Sequence, residues 1–437
     1  MALQGDRTFV GFGFGPIQAG LFIHEAFHSG AFRRLVVAEV LAETVAALKR
    51  ASGLFSLNIA HPNRVETATV GPVEAENPND PAAHPRLVAA VRDASEIATA
   101  VPSVDFYRKG GPGSIHRILA EGLARRAEAG GGACVVYTAE NNNHAAEILR
   151  EAVLEEVPQN LREAVDRRVR FLNSMIGKMS AVVTDPAEVR ARGLAPLTRG
   201  EERAFLVEAF NRILISAVRF PPGDAAGAGF RRGISVFVEK PNLLPFEEAK
   251  LYGHNATHAA AAYLAERSGL RRIADLRLQA GTLAFLRKAF IEESGAALLA
   301  KHRGIDPLFT PEGYSAYADD LLARMTNPHL GDTVERVGRD VRRKLGWEDR
   351  LIGTIRLALG QGIRPRRYAF AAAAALATLD GGLADPSADA AGALRELWGE
   401  GVQGPEADRV LAEIEEGRRL LAQWIDAGFS DPERLMR

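Results

Sequence analysis

Residues 8–12 form a β-branched and aromatic run that breaks directly into Gly11-Phe12-Gly13-Phe14-Gly15-Pro16, and a helical pattern continues to about His28. Glycines where a strand meets a helix let a ligand approach the backbone closely. The helix start adds N–H donors and the positive end of a dipole. Pro16 suits the first helical turn, where its missing N–H is not needed. The turn departs from the G-x-G-x-x-G spacing: read from Gly13, the third position is Gln18. Taken alone, the turn is also compatible with a tight connection that holds no ligand.

The next segment favours a ligand. Residues 35–39 are a second short apolar run, and it ends in Glu39. This lies close to the spacing at which an acid accepts from the adenosine ribose hydroxyls. A carboxylate there repels a 2′-phosphate, and Val40 rather than an arginine follows. The expected cofactor is therefore NAD. Its expected contacts are Gly11, Gly13, Phe14, Gly15, Pro16, Ile17, Glu39 and Val101, the last closing a strand candidate at 96–101. A further strand is expected at 134–137, and helices are expected at 114–128 and 141–168. Strands alternating with helices predict a parallel sheet covered on both faces. The stretch 60–95, rich in Pro, Asn, Glu and Ala, reads partly as loops over that sheet. The glycine-rich run 109–114 reads as a loop and helix cap.

After a proline–glycine run at 221–229, the pattern is mostly helical: 246–266, 284–300, 314–325, 350–359, 369–379 and 408–427. The expected fold is an α/β N-terminal Rossmann-type dinucleotide-binding domain, residues 1–220. A mainly α-helical C-terminal domain, residues 221–437, is expected to follow, with the active site between the two. A net charge of −1 argues against nucleic acid or an anionic membrane as partner. No apolar stretch is long enough to span a membrane, and no secretory signal is visible. Cys134 is the only cysteine, which excludes an intrachain disulfide and a cysteine-cluster metal site. A cytoplasmic location is expected.

Lys250, Asn255 and His258 stand at offsets 0, +5 and +8. On an α-helix these lie at about 0°, 140° and 80°, one broad face. A desolvated lysine can shed its proton near neutral pH and act as a base, with the amide and imidazole holding an alcohol before it. The plainer alternative is a surface lysine paired with Glu247. Asn141 follows the 134–137 strand, and such strand ends face the cofactor crevice. His254 and His258 are four apart, yet the zinc-protease glutamate and a third ligand are missing, so no metal is expected.

On these residues the sequence resembles the polyol-specific long-chain dehydrogenases, a family that includes mannitol 2-dehydrogenase, mannitol-1-phosphate 5-dehydrogenase and the hexuronate reductases. The family spacing of Lys, four residues, Asn, two residues, His is met by Lys250, Asn255 and His258, and its acid–asparagine pair by Glu140-Asn141. The stretch 327–345, Asp349-Arg350, and Glu292-Glu-Ser-Gly295 are similar to the mannitol-1-phosphate branch. The resemblance implies reversible, metal-free, NAD-dependent oxidation of a secondary alcohol on a polyol or polyol phosphate. Lys250 would be the base, Asn141 and Asn255 the donors to the reacting oxygen, and His258 would orient a hydroxyl. It further implies Arg336, Lys344 and Lys178 as substrate contacts. A sugar-acid substrate and a catalytically impaired NAD-binding protein are the alternatives. Ile176-Gly177-Lys178 stands where the family usually reads Val-Asp-Arg, and Pro16 and Ala19 replace common Asn and Arg residues, which marks a divergent member.

Overall fold

The structure is a computed structural model that describes residues 5–436 except Asp224, Ala280 and Pro386. It divides into two compact units, Met1–Leu243 and Leu244–Arg437. The division falls after Leu243 rather than at 220. The proline–glycine run is a connection inside the first unit, between two short strands that pair in parallel, with Phe220 and Phe230 packed together across it.

Among the described residues, twelve strands build the first unit: β1 (Arg7–Phe12), β2 (Phe32–Ala38), β3 (Phe55–Ala60), β4 (Val65–Val70), β5 (Glu74–Glu76), β6 (Ala94–Thr99), β7 (Cys134–Thr138), β8 (Val169–Met175), β9 (Ser180–Val183), β10 (Ala204–Glu208), β11 (Leu214–Ser216) and β12 (Val238–Lys240). The main sheet runs β12-β11-β8-β7-β6-β1-β2-β5 and is parallel from β8 to β5, with β11 antiparallel to β8. Both faces of β1 are buried, which is why its sequence reads as a continuous apolar run. Phe9 packs on one side with Phe32, Val37 and Ala98, whereas Val10 and Phe12 pack on the other with Val36 and Ile97.

The stretch 60–95 is partly loop, at 61–64, 71–73 and 77–83. It holds β4, β5 and the helix His84–Asp93, and β4 pairs antiparallel with β3 in a second sheet ordered β4-β3-β10-β9. Pro62, Asn63, Pro72 and residues 77–81 lie in the loops, while in β4 Glu66, Thr67 and Thr69 face solvent and Val70 faces the core.

The second unit is helical. The alanine-rich helix Arg366–Leu379 is buried from Tyr368 to Ala377 and packs on the helix Pro405–Asp426. A side chain at Gly417 would sit 2.5 Å from the Ala369 carbonyl, so glycine sets how closely these helices approach. Among the described residues, no helix is long and apolar enough to cross a membrane.

Among the described residues, three helices carry π-helical turns: Gln18–Ile23, Ala249–Asn255 and Ala289–Gly295. Each ends with an N–H reaching back five residues: His24 to the Ala19 carbonyl, Ala256 to that of Leu251, and Ala296 to that of Ile291. Such turns are rare and concentrate at functional sites.

Candidate active site

At the end of β1 the backbone turns through Gly13 at φ 82°, a conformation that favours glycine. The Gly13 N–H donates to the Ala38 carbonyl at 2.8 Å, and a side chain here would lie 2.7 Å from the Ala100 carbonyl. The Phe14 ring turns inward, edge-on to Phe55 at 5.1 Å, so only the Phe14 backbone is left to line the turn. Ile17 packs on the core. A Cβ on Gly15 would meet nothing within 4 Å, which leaves the backbone open beside the helix start. Glu39 is buried, and its two oxygens accept from the Phe14 and Leu41 N–H groups, each at 2.7 Å. Each carboxylate oxygen keeps a second lone pair. Open backbone, a helix N-terminus and an acid at the tip of β2 together fit a dinucleotide.

The third glycine of the fingerprint serves close helix–strand packing. Here the roles are exchanged. Gln18 occupies the helix position, and its side chain lies on Gly11, where a Cβ would come 2.0 Å from Gln18 Nε2. The Gln18 side chain is fully buried, and neither polar atom of its amide has a hydrogen-bond partner.

Glu140 follows β7, and its carboxylate is buried. It accepts from the Thr99 hydroxyl at 2.9 Å, from the Val101 N–H at 3.0 Å and from the Tyr107 hydroxyl. Burial pushes the carboxyl above its usual range, against these hydrogen bonds. Asn141, the next residue, is exposed at the strand end. Sequence reading assigned Glu140 no task, because Thr99, Val101 and Tyr107 reach it only through the fold.

In the second unit Lys250, Asn255 and His258 are partly exposed, while Gly253, His254, Ala256 and Thr257 between them are buried. The expectation of an α-helical face needs correction: Lys250 and Asn255 lie in the π-helical turn. An α-helix would set them about 140° apart. A turn closed by i→i+5 bonds carries Asn255 back toward the Lys250 side. The neighbours fix this turn. A side chain at Gly253 would meet the Tyr314 hydroxyl at 2.6 Å, the Thr354 hydroxyl donates to the Tyr252 carbonyl at 3.0 Å, and Thr257 and Tyr368 share a hydrogen bond of 2.7 Å.

Burial and the nearby Arg350 guanidinium pull the Lys250 amine down to about 8, with Glu247 opposing. Burial also holds the His254 imidazole well below its ordinary value, helped by Arg324 and His258. Arg350 was not singled out from sequence; its Nε donates to Asp349 at 2.8 Å, which also holds Arg343 at 3.1 Å.

His258 Nε2 lies 3.5 Å from Oδ2 of Asp332, whose Oδ1 pairs with Arg336. Lys344 is buried, and its ammonium donates to the Val337 carbonyl at 2.8 Å and to that of Arg339. Lys178, in the first unit, donates to the carbonyls of Glu208 at 2.6 Å and Phe210 at 2.7 Å. Both lysines thus spend donors holding backbone. Beside Lys178, a Cβ on Gly177 would meet only the Phe210 ring, at 4.0 Å, so an acid there would have room. Among the described residues, no group of three or more His, Cys, Asp or Glu side chains is placed to hold a metal ion.

A Rossmann-type sheet with a glycine turn and an acid at the tip of β2, followed by a helical unit carrying Lys250, Asn255 and His258, defines an NAD-dependent oxidoreductase. Residues 7–224 match the mannitol dehydrogenase Rossmann domain and residues 242–388 the mannitol dehydrogenase C-terminal domain. The chain belongs to the mannitol dehydrogenase family, NAD-dependent polyol dehydrogenases acting on CH–OH groups. It is 29% identical over 372 residues to mannitol-1-phosphate 5-dehydrogenase of Pseudarthrobacter chlorophenolicus, covering 85% of each chain. Its fold is similar to D-sorbitol dehydrogenase (TM-score 0.74, 16% identity, 99% and 97% of the chains covered). It is also similar to Pseudomonas fluorescens mannitol 2-dehydrogenase, solved with NAD and D-mannitol (TM-score 0.67, 17% identity, 99% and 94% covered).

Proposed function

We propose that this enzyme interconverts a polyol or polyol phosphate and the corresponding ketose, with Lys250 as general base and no metal. The observation that carries the reading is the Lys250 amine, drawn down to about 8 on a π-helical turn that it shares with Asn255. Near neutral pH a lysine of this kind is part neutral, so it can take the hydroxyl proton of a secondary alcohol. Asn255 and Asn141 donate to the oxygen as negative charge grows on it, a contribution of about 2.7–4 kcal/mol per donor in comparable sites. His258, steadied by Asp332, orients a neighbouring hydroxyl, and Arg336 meets the far end of the substrate. NAD, held at the glycine turn and Glu39, supplies the hydride acceptor. In the reverse direction protonated Lys250 returns the proton to the carbonyl oxygen.

The test is a panel of mannitol, mannitol 1-phosphate, other hexitols and their ketoses with NAD(H). Turnover of at least one polyol or polyol phosphate is expected, lost in Lys250→Ala with NADH binding kept. NADH binding without turnover of any of them would overturn the reading, as would full activity of Lys250→Ala.

A further inference from the structure

Glu140 is tied at both ends. Its side chain gathers the end of β6 through Thr99, the loop beyond through Val101, and the buried Tyr107. Its carbonyl accepts from the Asn142 N–H at 2.8 Å, on the far side of Asn141. The Asn142 side chain in turn accepts from the His144 N–H at 2.8 Å, just ahead of the helix that begins at Ala145. The exposed Asn141 therefore sits on a backbone whose preceding residue cannot shift without breaking three side-chain hydrogen bonds. The same carboxylate fixes Val101, whose side chain stands 3.3 Å from where a Cβ on Gly13 would lie. One buried acid thus joins the glycine turn's neighbour to the strand end that presents Asn141.

We propose that Glu140 is a positioning residue that registers the Val101 wall of the cofactor site against Asn141. It touches neither cofactor nor substrate and acts through both neighbours. This rests on the assignment of Asn141 made under the proposed function and on Val101 as an expected cofactor contact. A carboxylate suits the task because all three partners are donors, including one backbone N–H that a hydroxyl rotation cannot accommodate. An amide at this position can satisfy the two hydroxyls but can turn its NH2 toward the Val101 N–H, donor against donor.

The test compares Glu140→Gln, Glu140→Asp and Tyr107→Phe in the full-length protein. Each is read by NADH fluorescence titration, steady-state kinetics and circular dichroism. With native secondary structure retained, Glu140→Gln is expected to raise the NADH Kd about tenfold, the size of one lost charge-assisted hydrogen bond, and to lower kcat as well. Glu140→Asp, which keeps the charge but shortens the reach, should recover part of both. Tyr107→Phe leaves the Val101 bond intact and should keep the NADH Kd within about twofold of the parent. Unchanged Kd and kcat in Glu140→Gln overturn the proposal. So do equal losses in Glu140→Gln and Tyr107→Phe, which would mark a packing role alone. If Glu140→Gln does not fold, Glu140→Asp decides by the same two readouts, and parent-like values there overturn it. Lys250→Ala run in parallel separates the cases: full turnover there refutes the reaction assignment, while the NADH-binding arm for Glu140 still stands.

Discussion

His258 and Arg336 share one carboxylate: Asp332 offers Oδ2 to the imidazole at 3.5 Å and Oδ1 to the guanidinium, and its side chain is 4% exposed. The pairing of Oδ1 with the guanidinium sets the orientation of Arg336. Asp332→Asn keeps the shape but removes the charge that Arg336 pairs with. It should cost about 1–3 kcal/mol of stability in denaturant unfolding, as expected when a buried partner is lost. The KM for substrate should rise more than kcat falls. A parent-like KM would separate Asp332 from substrate binding.

Lys250 gives a pH dependence whose sign is fixed. The neutral amine is the base, so polyol oxidation should rise with pH and level off above about 8, while ketose reduction should fall over the same range. Stability follows the same shift. The amine is near 8 in the folded protein and 10.5 unfolded, so between these values the unfolded chain binds more protons and stability climbs with pH. Lys250→Met should therefore stabilise the protein most below pH 8, and its advantage should vanish above the unfolded value. Rate profiles and melting curves across this range check both.

Gln18 and Gly11 form a reciprocal pair. Replacing Gln18 with Met removes two buried, unpartnered polar atoms at nearly constant volume and should stabilise the first unit by about 1–3 kcal/mol. Gly11→Ala alone should be strongly destabilising, because its methyl meets the Gln18 amide. The double variant Gly11→Ala, Gln18→Gly should recover most of that loss. Additive effects in the double variant would refute the pairing.

Glu39 predicts a preference for NAD over NADP. Glu39→Ala should narrow that preference and weaken NAD binding, since the Phe14 and Leu41 N–H groups lose their acceptor. A parent-like ratio of the two cofactors' kcat/KM in this variant would show that selectivity lies elsewhere.

The parts legible in sequence were those carried by local pattern. The run of β1 into Gly13, the acid ending the second apolar run and the Lys250–Asn255–His258 spacing all lie within a few turns of chain. Asp332 and Glu140 escaped notice as site residues because they meet His258 and Thr99 only through tertiary packing: Asp332 lies 74 positions from His258, and Glu140 lies 41 from Thr99. Within residues 60–95 the strand β4 went unrecognised because Glu66, Thr67 and Thr69 are exposed polar residues at a sheet edge. The resemblance implied Lys178 and Lys344 as substrate contacts, and the fold adds that both ammonium groups also donate to backbone carbonyls. The π-helical turn was invisible because the spacing of Lys250 and Asn255 is tolerable on an α-helix as well.

That turn has a consequence for how the enzyme can change. A π-helical turn holds one residue more than the α-helical turn it replaces. Substitutions along 249–255 leave the surplus residue in place and test only side chains. Loss of one codon would let the segment relax into ordinary α-helix, with Asn255 four residues from Lys250, about 40° round. Asn255 and His258 would then keep nearly the face they have now. A one-residue deletion here would thus separate the width of the turn from the face that it presents.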